Sequence, residues 1–259
     1  MTAPAEKTAK SPAKLEQKKY VVAFLDFLGA SEKMKSEKES DEFLQKINEI
    51  YKFIRRFANK IQRYNIADIK ARIFSDNIVF AQQVDNKSRK NNSEKMSPYF
   101  SVIAFAYTFM FESMKNGLWV RGAITIGDFA INGNFIYGNA LVRAYELENS
   151  SAIYPRILID HKLIDFIKND GQEDIIKDFI TVDLDGEYCL KIFNELSDIF
   201  YMSGDKKKMV VGIGNNIRLE LLRLNSETKK RQKFYWLANK FNTFCDEAGF
   251  PEQKIMLEN

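Results

Sequence analysis

The sequence predicts an α+β fold, a ferredoxin-like β-α-β-β-α-β core with a C-terminal strand and helix extension. Three observations carry this expectation. Residues 20–28, YVVAFLDFL, form an apolar run closed by Gly29, the signature of a buried strand. Residues 40–63 space Phe43, Ile47, Ile50, Tyr51, Ile54, Phe57 and Ile61 three or four apart, as on one face of a helix. ARIF and NIVFAQ flank the turn-forming Ser75-Asp76-Asn77, which reads as a hairpin.

The other elements follow in chain order. Residues 1–18 are rich in Lys, Ala and Pro and read as disordered. The polar stretch Asp85–Ser97 reads as a loop, and the Phe- and Tyr-rich residues 98–116 as an apolar helix. LWVRGAITI (118–126) is a strand, and GDFAINGNFIYG is a glycine- and asparagine-rich return. A helix starts at 139–148 and ends near Asn149, a short strand spans 156–160, and a helix covers 161–169. A strand pair near 180–193, a strand at Met209–Ile213 and a long helix over 216–246 complete the chain. Residues 19–195 are thus expected to hold the catalytic core. Residues 196–259 are expected to pack on it or at a dimer interface, with Trp236 and Tyr235 as exposed aromatics.

Composition narrows the chemistry. The chain of 259 residues is 45% hydrophobic with 21 phenylalanines, enough to build a core. Its net charge of +4 comes partly from the lysine-rich start and is no argument for a nucleic-acid partner. No apolar run approaches the length of about 20 residues that spans a bilayer, so no membrane partner is expected. The start lacks the apolar stretch of a signal peptide. Cys189 and Cys245 alone allow neither a disulfide framework nor a four-cysteine zinc site, and a cytoplasmic setting is expected. The single histidine, His161, argues against two-histidine zinc and iron sites and reads as structural. Chemistry therefore falls to carboxylates, arginines and a metal.

Asp26 lies inside the apolar run, on one face with Val22, Phe24 and Leu28 by alternation. A carboxylate there is costly unless compensated, by a buried salt bridge, a helix cap or a metal. Asp76 has the ordinary role of a turn residue. Together they are more informative, because in a ferredoxin-like sheet the first strand lies beside the hairpin. Carboxylates at the strand end and at the turn can converge on Mg²⁺ or Mn²⁺, which suit one or two carboxylates plus phosphate oxygens.

FLDFLG, KARIFSDNIVFA, WVRGAITIG and YGNALVRAYELE occur in the order of the four motifs of class III nucleotidyl cyclases, and the chain resembles that family over residues 20–160. With YPRI, these segments look most like the pyrimidine cyclases of bacterial Pycsar anti-phage systems. The resemblance implies a homodimer with composite active sites that converts UTP or CTP to a 3′,5′-cyclic monophosphate, read by a separate effector protein. It implies two Mg²⁺ or Mn²⁺ ions held by Asp26, Asp76 and the carbonyl of Phe27. One ion would activate the ribose 3′-hydroxyl and the other would steady pyrophosphate.

The remaining site residues are likewise carried over. Arg72 stands where purine members have a base-reading lysine; it reads a carbonyl-bearing base edge or is a solvent-facing strand arginine. Phe135 replaces an aspartate of the adenine pattern, and with Tyr137 it lines the pocket or packs in the core. Val142 and Glu146 occupy the positions of the family's asparagine and arginine that steady ribose and transition state. Arg121 and Arg143 are the replacements nearest at hand, with Glu146 or Glu148 as alternative structural partners of Arg121. The family's late γ-phosphate lysine has no counterpart near DLDGEY, where Asp183 and Asp185 read as a turn. A purine cyclase, a nucleotide-binding module without turnover and a purely structural domain stay open.

Overall fold

The computed structural model describes residues 15–84, 96–193 and 206–257. The readings for 1–14, for 85–95 and for 196–205 lie outside the described residues. The chain builds β1 (Lys18–Phe27), α1 (Ala30–Lys35), α2 (Ser40–Arg63), β2 (Lys70–Phe74), β3 (Asn77–Gln83) and α3 (Pro98–Lys115). There follow β4 (Val120–Asn132), β5 (Phe135–Tyr137), α4 (Asn139–Ser151), β6 (Ile157–Ile159), α5 (His161–Asn169) and α6 (Glu173–Phe179). Next come β7 (Ile180–Val182), β8 (Tyr188–Leu190), α7 (Lys206–Arg223) and α8 (Thr228–Glu247).

The sheet runs β2-β3-β1-β4-β6-β8-β7, with β5 paired to β4. Its first four strands are antiparallel neighbours in the ferredoxin-like order, as expected. β4 and β6 are parallel, and β8 and β7 extend the sheet. β1 is central and buried on both faces, which is why it reads as a continuous apolar run rather than an alternating one.

Alternation splits β1 between two cores. Val21, Ala23, Leu25 and Phe27 face the main core with α2, α3, α7 and α8. Tyr20, Val22 and Phe24 face a smaller core closed by Ala140 and Ala144 of α4. α2 buries Phe43, Ile47, Ile50 and Ile54 and leaves its charged face to water. Asp41 and Glu42 in its first turn and Lys60 and Arg63 in its last suit the helix dipole. α3 is capped by the Ser97 hydroxyl, begins at Pro98 and is buried on nearly every side.

Several expectations need correction. GDFAINGNFIYG is not an irregular return: β4 continues through it to Asn132 and pairs back with β5. Met209–Ile213 is not a strand but part of α7. Its β-branched residues suggest a strand, yet Val210, Ile213, Ile217 and Leu221 are buried at helical spacing, and that packing outweighs local propensity. The single helix over 216–246 is two, broken between Arg223 and Thr228. Tyr235 and Trp236 are half-buried against their own core, with Trp236 stacked on Tyr154 at 4.9 Å. Leu28, beyond the end of β1, packs against the main core rather than sharing the face of Asp26. The short helices α1 and α6 were not expected.

Candidate active site at the end of β1

Asp26 is opposite Asn77 of β3 and Arg121 of β4. Residues opposite one another in an antiparallel pair share a face. Asp26 and Arg121 therefore stand together on the α4 side of the sheet. Nε and Nη2 of Arg121 both donate to Asp26 Oδ2 at 3.1 Å. Nε also lies 2.8 Å from Glu148 Oε1 of α4, yet that oxygen has no aligned hydrogen bond among the described residues. The contact is one of charge, since the Nε–H points at Asp26. Side-chain exposure falls from 25% at Arg121 to 14% at Asp26 and 4% at Glu148, so these charges are poorly hydrated.

Asp76 occupies the two-residue turn between β2 and β3, after Ser75 in a left-handed conformation at φ 53°. Asn77 Nδ2 donates to Asp76 Oδ1 at 3.2 Å. Burial pushes the Asp26 carboxyl up to about 7; Arg121 opposes this, while the charges of Glu148 and Asp76 add to it. Burial also raises Glu148. Asp26 and Glu148 thus share one arginine while the charge of Asp76 acts on both, a surplus of negative charge that a cation relieves. Among the described residues no group of three His, Cys, Asp or Glu forms a complete ligand set. The expected donors, Asp26, Asp76 and the Phe27 carbonyl, are oxygens of the kind that Mg²⁺ takes together with water or substrate oxygens.

The other expected residues are dispersed. Arg143 does not point free: its Nε donates to Asp160 Oδ2 at 3.1 Å, which also accepts from Thr125 Oγ1 at 2.7 Å. Burial pushes Asp160 up, but Arg143, Thr125 and the Lys162 N–H outweigh it and hold the carboxyl below its usual range. Arg72 is half-buried and donates to the carbonyls of Gly133, in the β4–β5 turn, and of Ala71. Phe135 and Tyr137 are exposed on β5 and stacked with centroids 6.3 Å apart. They flank the far end of β4, whereas Arg121 is near its start. Val142 and Glu146 are exposed on α4, and of the two expected glutamates it is Glu148 that meets Arg121.

Two motif glycines have steric explanations. A Cβ on Gly122 would lie 2.3 Å from the Phe24 carbonyl, so glycine lets β1 and β4 approach beside Asp26. Gly138 has φ 145°, and its Cβ would meet the Asp128 carbonyl at 2.3 Å. It seats α4, and with it Glu148, on β4.

One cluster escaped the sequence reading. Arg156 is fully buried, donating to Asp183 at 2.5 Å, to Asp185 and to the Ser151 carbonyl at 3.2 Å. Asp183 also receives Lys240 at 2.9 Å and the Trp236 indole N–H at 3.1 Å, which bolts α8 to the β7–β8 turn. Its sequence signal was an arginine between Pro155 and the apolar Ile157–Ile159, too apolar a setting for an unpaired cation. His161 heads α5 and sets its ring edge-on to Tyr188 at 5.1 Å, outside the site. Cys189 and Cys245 are buried free thiols.

No family model and no curated protein matches the chain. Among solved structures it is similar to a bacterial light-regulated adenylyl cyclase, with TM-score 0.43 and 10% identity over 59% of this chain and 46% of that one. The chain therefore spans about half the length of that protein. It is also similar to an adenylate/guanylate cyclase/hydrolase from Silicibacter pomeroyi, with TM-score 0.42 and 14% identity over 68% of this chain and 96% of that one. A third is the catalytic core of a rhodopsin-guanylyl cyclase with converted specificity in complex with ATPαS, with TM-score 0.39, 14% identity and the same coverage.

Proposed function

We propose that this chain is a homodimeric nucleotidyl cyclase of the class III type that converts a pyrimidine nucleoside triphosphate, UTP or CTP, to its 3′,5′-cyclic monophosphate. The observation that carries the reading is the surplus of carboxylate charge around Asp26, with Asp76 at the neighbouring hairpin turn. The 3′-oxygen bonds to the α-phosphorus as the bond to the β-phosphate bridging oxygen breaks. Pyrophosphate leaves, and the hydroxyl proton passes to solvent. Asp26, Asp76 and the Phe27 carbonyl hold Mg²⁺ or Mn²⁺, which when bound supplies a Lewis acid for the nucleophile and the leaving group. Arg121 orients Asp26 through its two N–H bonds and adds positive charge beside the phosphates.

An exposed apolar group on the α4 side supports a second copy there. Phe24 contacts Phe74 and Tyr145 with centroids at 6.3 and 5.6 Å, and the last two are exposed, as is Val142. A two-fold interface over this face brings Phe135 and Tyr137 of one copy towards Asp26 of the other. Within a subunit Arg72 steadies the turn that carries them. The base assignment rests on Arg72 and Phe135 standing where the purine pattern of the resembled family has a lysine and an aspartate. The product signal would be read by a separate effector in the cytoplasm. Among the described residues no helix is long and apolar enough to cross a membrane.

The test is incubation of the protein with each of the four nucleoside triphosphates and Mn²⁺, with products separated by chromatography. Cyclic UMP or cyclic CMP is expected, and cyclic AMP as sole product would reject the pyrimidine assignment. A second reading, nucleotide binding without turnover, draws on the occupation of Asp26 by Arg121. Tight Mn²⁺-dependent binding of UTP with no product would select it.

A further inference from the structure

Arg121 stands between two carboxylates and gives its hydrogen bonds to only one of them. Its Nε–H and an Nη2–H both go to the same Asp26 oxygen, Oδ2, at 3.1 Å. Glu148 Oε1 lies closer to Nε, at 2.8 Å, but off the N–H direction. That oxygen is buried and accepts no hydrogen bond among the described residues. The helix that carries Glu148 is fixed in place. Ala144 packs with Tyr20, Val22 and Phe24, and Leu147 packs with Ala123 and Leu158. Arg121 is the more exposed member of the pair and has the longer side chain, so any movement between the two falls to its guanidinium.

A buried acceptor without a donor is costly, and here the donor that could serve it is already in contact. A cation on Asp26 changes the balance between the two carboxylates. It competes with both N–H groups for Oδ2, and it repels the guanidinium. We infer that Glu148 is a positioning residue of the cation site: it takes the Arg121 Nε–H when Asp26 takes the cation, while the Nη2–H stays on Asp26. Oδ2 then gives up one of its two hydrogen bonds, and the guanidinium turns from the ion without leaving the site. The inference rests on the metal role of Asp26 proposed above. It adds the residue that makes room for the ion, and that residue acts through Arg121.

The test uses Mn²⁺ alone in calorimetry and Mg²⁺ alone in nuclear magnetic resonance, so it does not depend on turnover. Glu148→Gln is expected to weaken Mn²⁺ binding by about tenfold, the loss of one charge-assisted contact. In the Arg121→Met background the same change is expected to cost nothing, because Glu148 acts through Arg121. In the parent protein with isotope-labelled arginine, the Arg121 Nε–H resonance is expected to shift on addition of Mg²⁺, and in Glu148→Gln to stay unmoved. A Glu148 that only holds α4 in place would not produce that shift, and the parent measurement needs no variant to fold. Equal Mn²⁺ affinity in parent and Glu148→Gln, or an unmoved resonance in the parent, overturns the role of Glu148 and leaves the metal reading standing. An equal loss with and without Arg121 overturns it too, since Glu148 would then act by charge alone. A parent protein that binds no Mn²⁺ overturns both.

Discussion

The molecule holds two arginine–carboxylate clusters, and they are built to opposite ends. Around Arg156, two cationic side chains, Arg156 and Lys240, meet two carboxylates, Asp183 and Asp185, with an indole N–H and a backbone carbonyl completing the set. Burial pushes Asp183 up, but Lys240, the Leu184 N–H and Arg156 prevail and hold it below the usual carboxylate range. Asp185 is lowered by Arg156. Around Arg121 one cation pairs with Asp26 and Glu148, the charge of Asp76 acts on both carboxyls, and burial dominates, so that Asp26 and Glu148 are raised. Each cluster leaves one buried polar atom without a hydrogen bond among the described residues, Nε of Arg156 and Oε1 of Glu148, so it is the charge balance that separates them: matched charges around Arg156, a surplus of carboxylates around Arg121.

The comparison breaks most visibly at the bolt. Arg156→Met takes the buried guanidinium from Asp183 and Asp185, leaving Asp183 to Lys240, the Trp236 indole and the Leu184 N–H, and is expected to lower stability by about 3–5 kcal/mol, read as a fall in the urea midpoint. A loss under about 1 kcal/mol would mean that the network is dispensable. At the other cluster the expectation reverses. Asp26→Asn is expected to reduce turnover in the proposed cyclase reaction by about a thousandfold or more, roughly 4 kcal/mol of transition-state stabilisation, with an unchanged or raised melting temperature. On the proposed function Mn²⁺ is expected to raise the thermal midpoint of the parent protein and to leave that of Asp26→Asn unmoved. Equal losses of stability in both variants would erase the distinction.

Acid sharpens the contrast. The lowered Asp183 and Asp185 bind fewer protons folded than unfolded, so their contribution is present above the unfolded aspartate value of about 4 and is lost as pH falls through the folded values. Denaturant titrations at falling pH are expected to show this step in the parent protein and a smaller one in Arg156→Met. An identical step in both would place its origin elsewhere. The smallest effect belongs to Lys240→Met, which removes a partly exposed partner of Asp183. About 1 kcal/mol is expected, together with a change in Trp236 fluorescence as its indole contact loosens.

The core was readable where local pattern and tertiary role agree. YVVAFLDFL is apolar on both faces because it is central, and Phe43, Ile47, Ile50 and Ile54 are spaced by the helix they form. Asp26 could be singled out because a carboxylate in such a run requires compensation. Its partner Arg121 could be named only as one of several candidates, since the choice between Glu146 and Glu148 depends on the rotation of α4 set at Gly138. MVVGIG misled because valine and isoleucine favour strands locally, whereas burial against α3 and α8 decides the matter.

α3 bears on how much of the chain must be made. Tyr99, Ile103, Phe105, Phe109 and Met110 lie on different sides of one helix, and all are shielded from water. The sheet covers one side of that helix, and residues of α7 and α8 join the same core. A chain ended at Phe193 keeps every strand of the sheet yet bares an aromatic helix along its length. Such a fragment is expected to precipitate rather than fold.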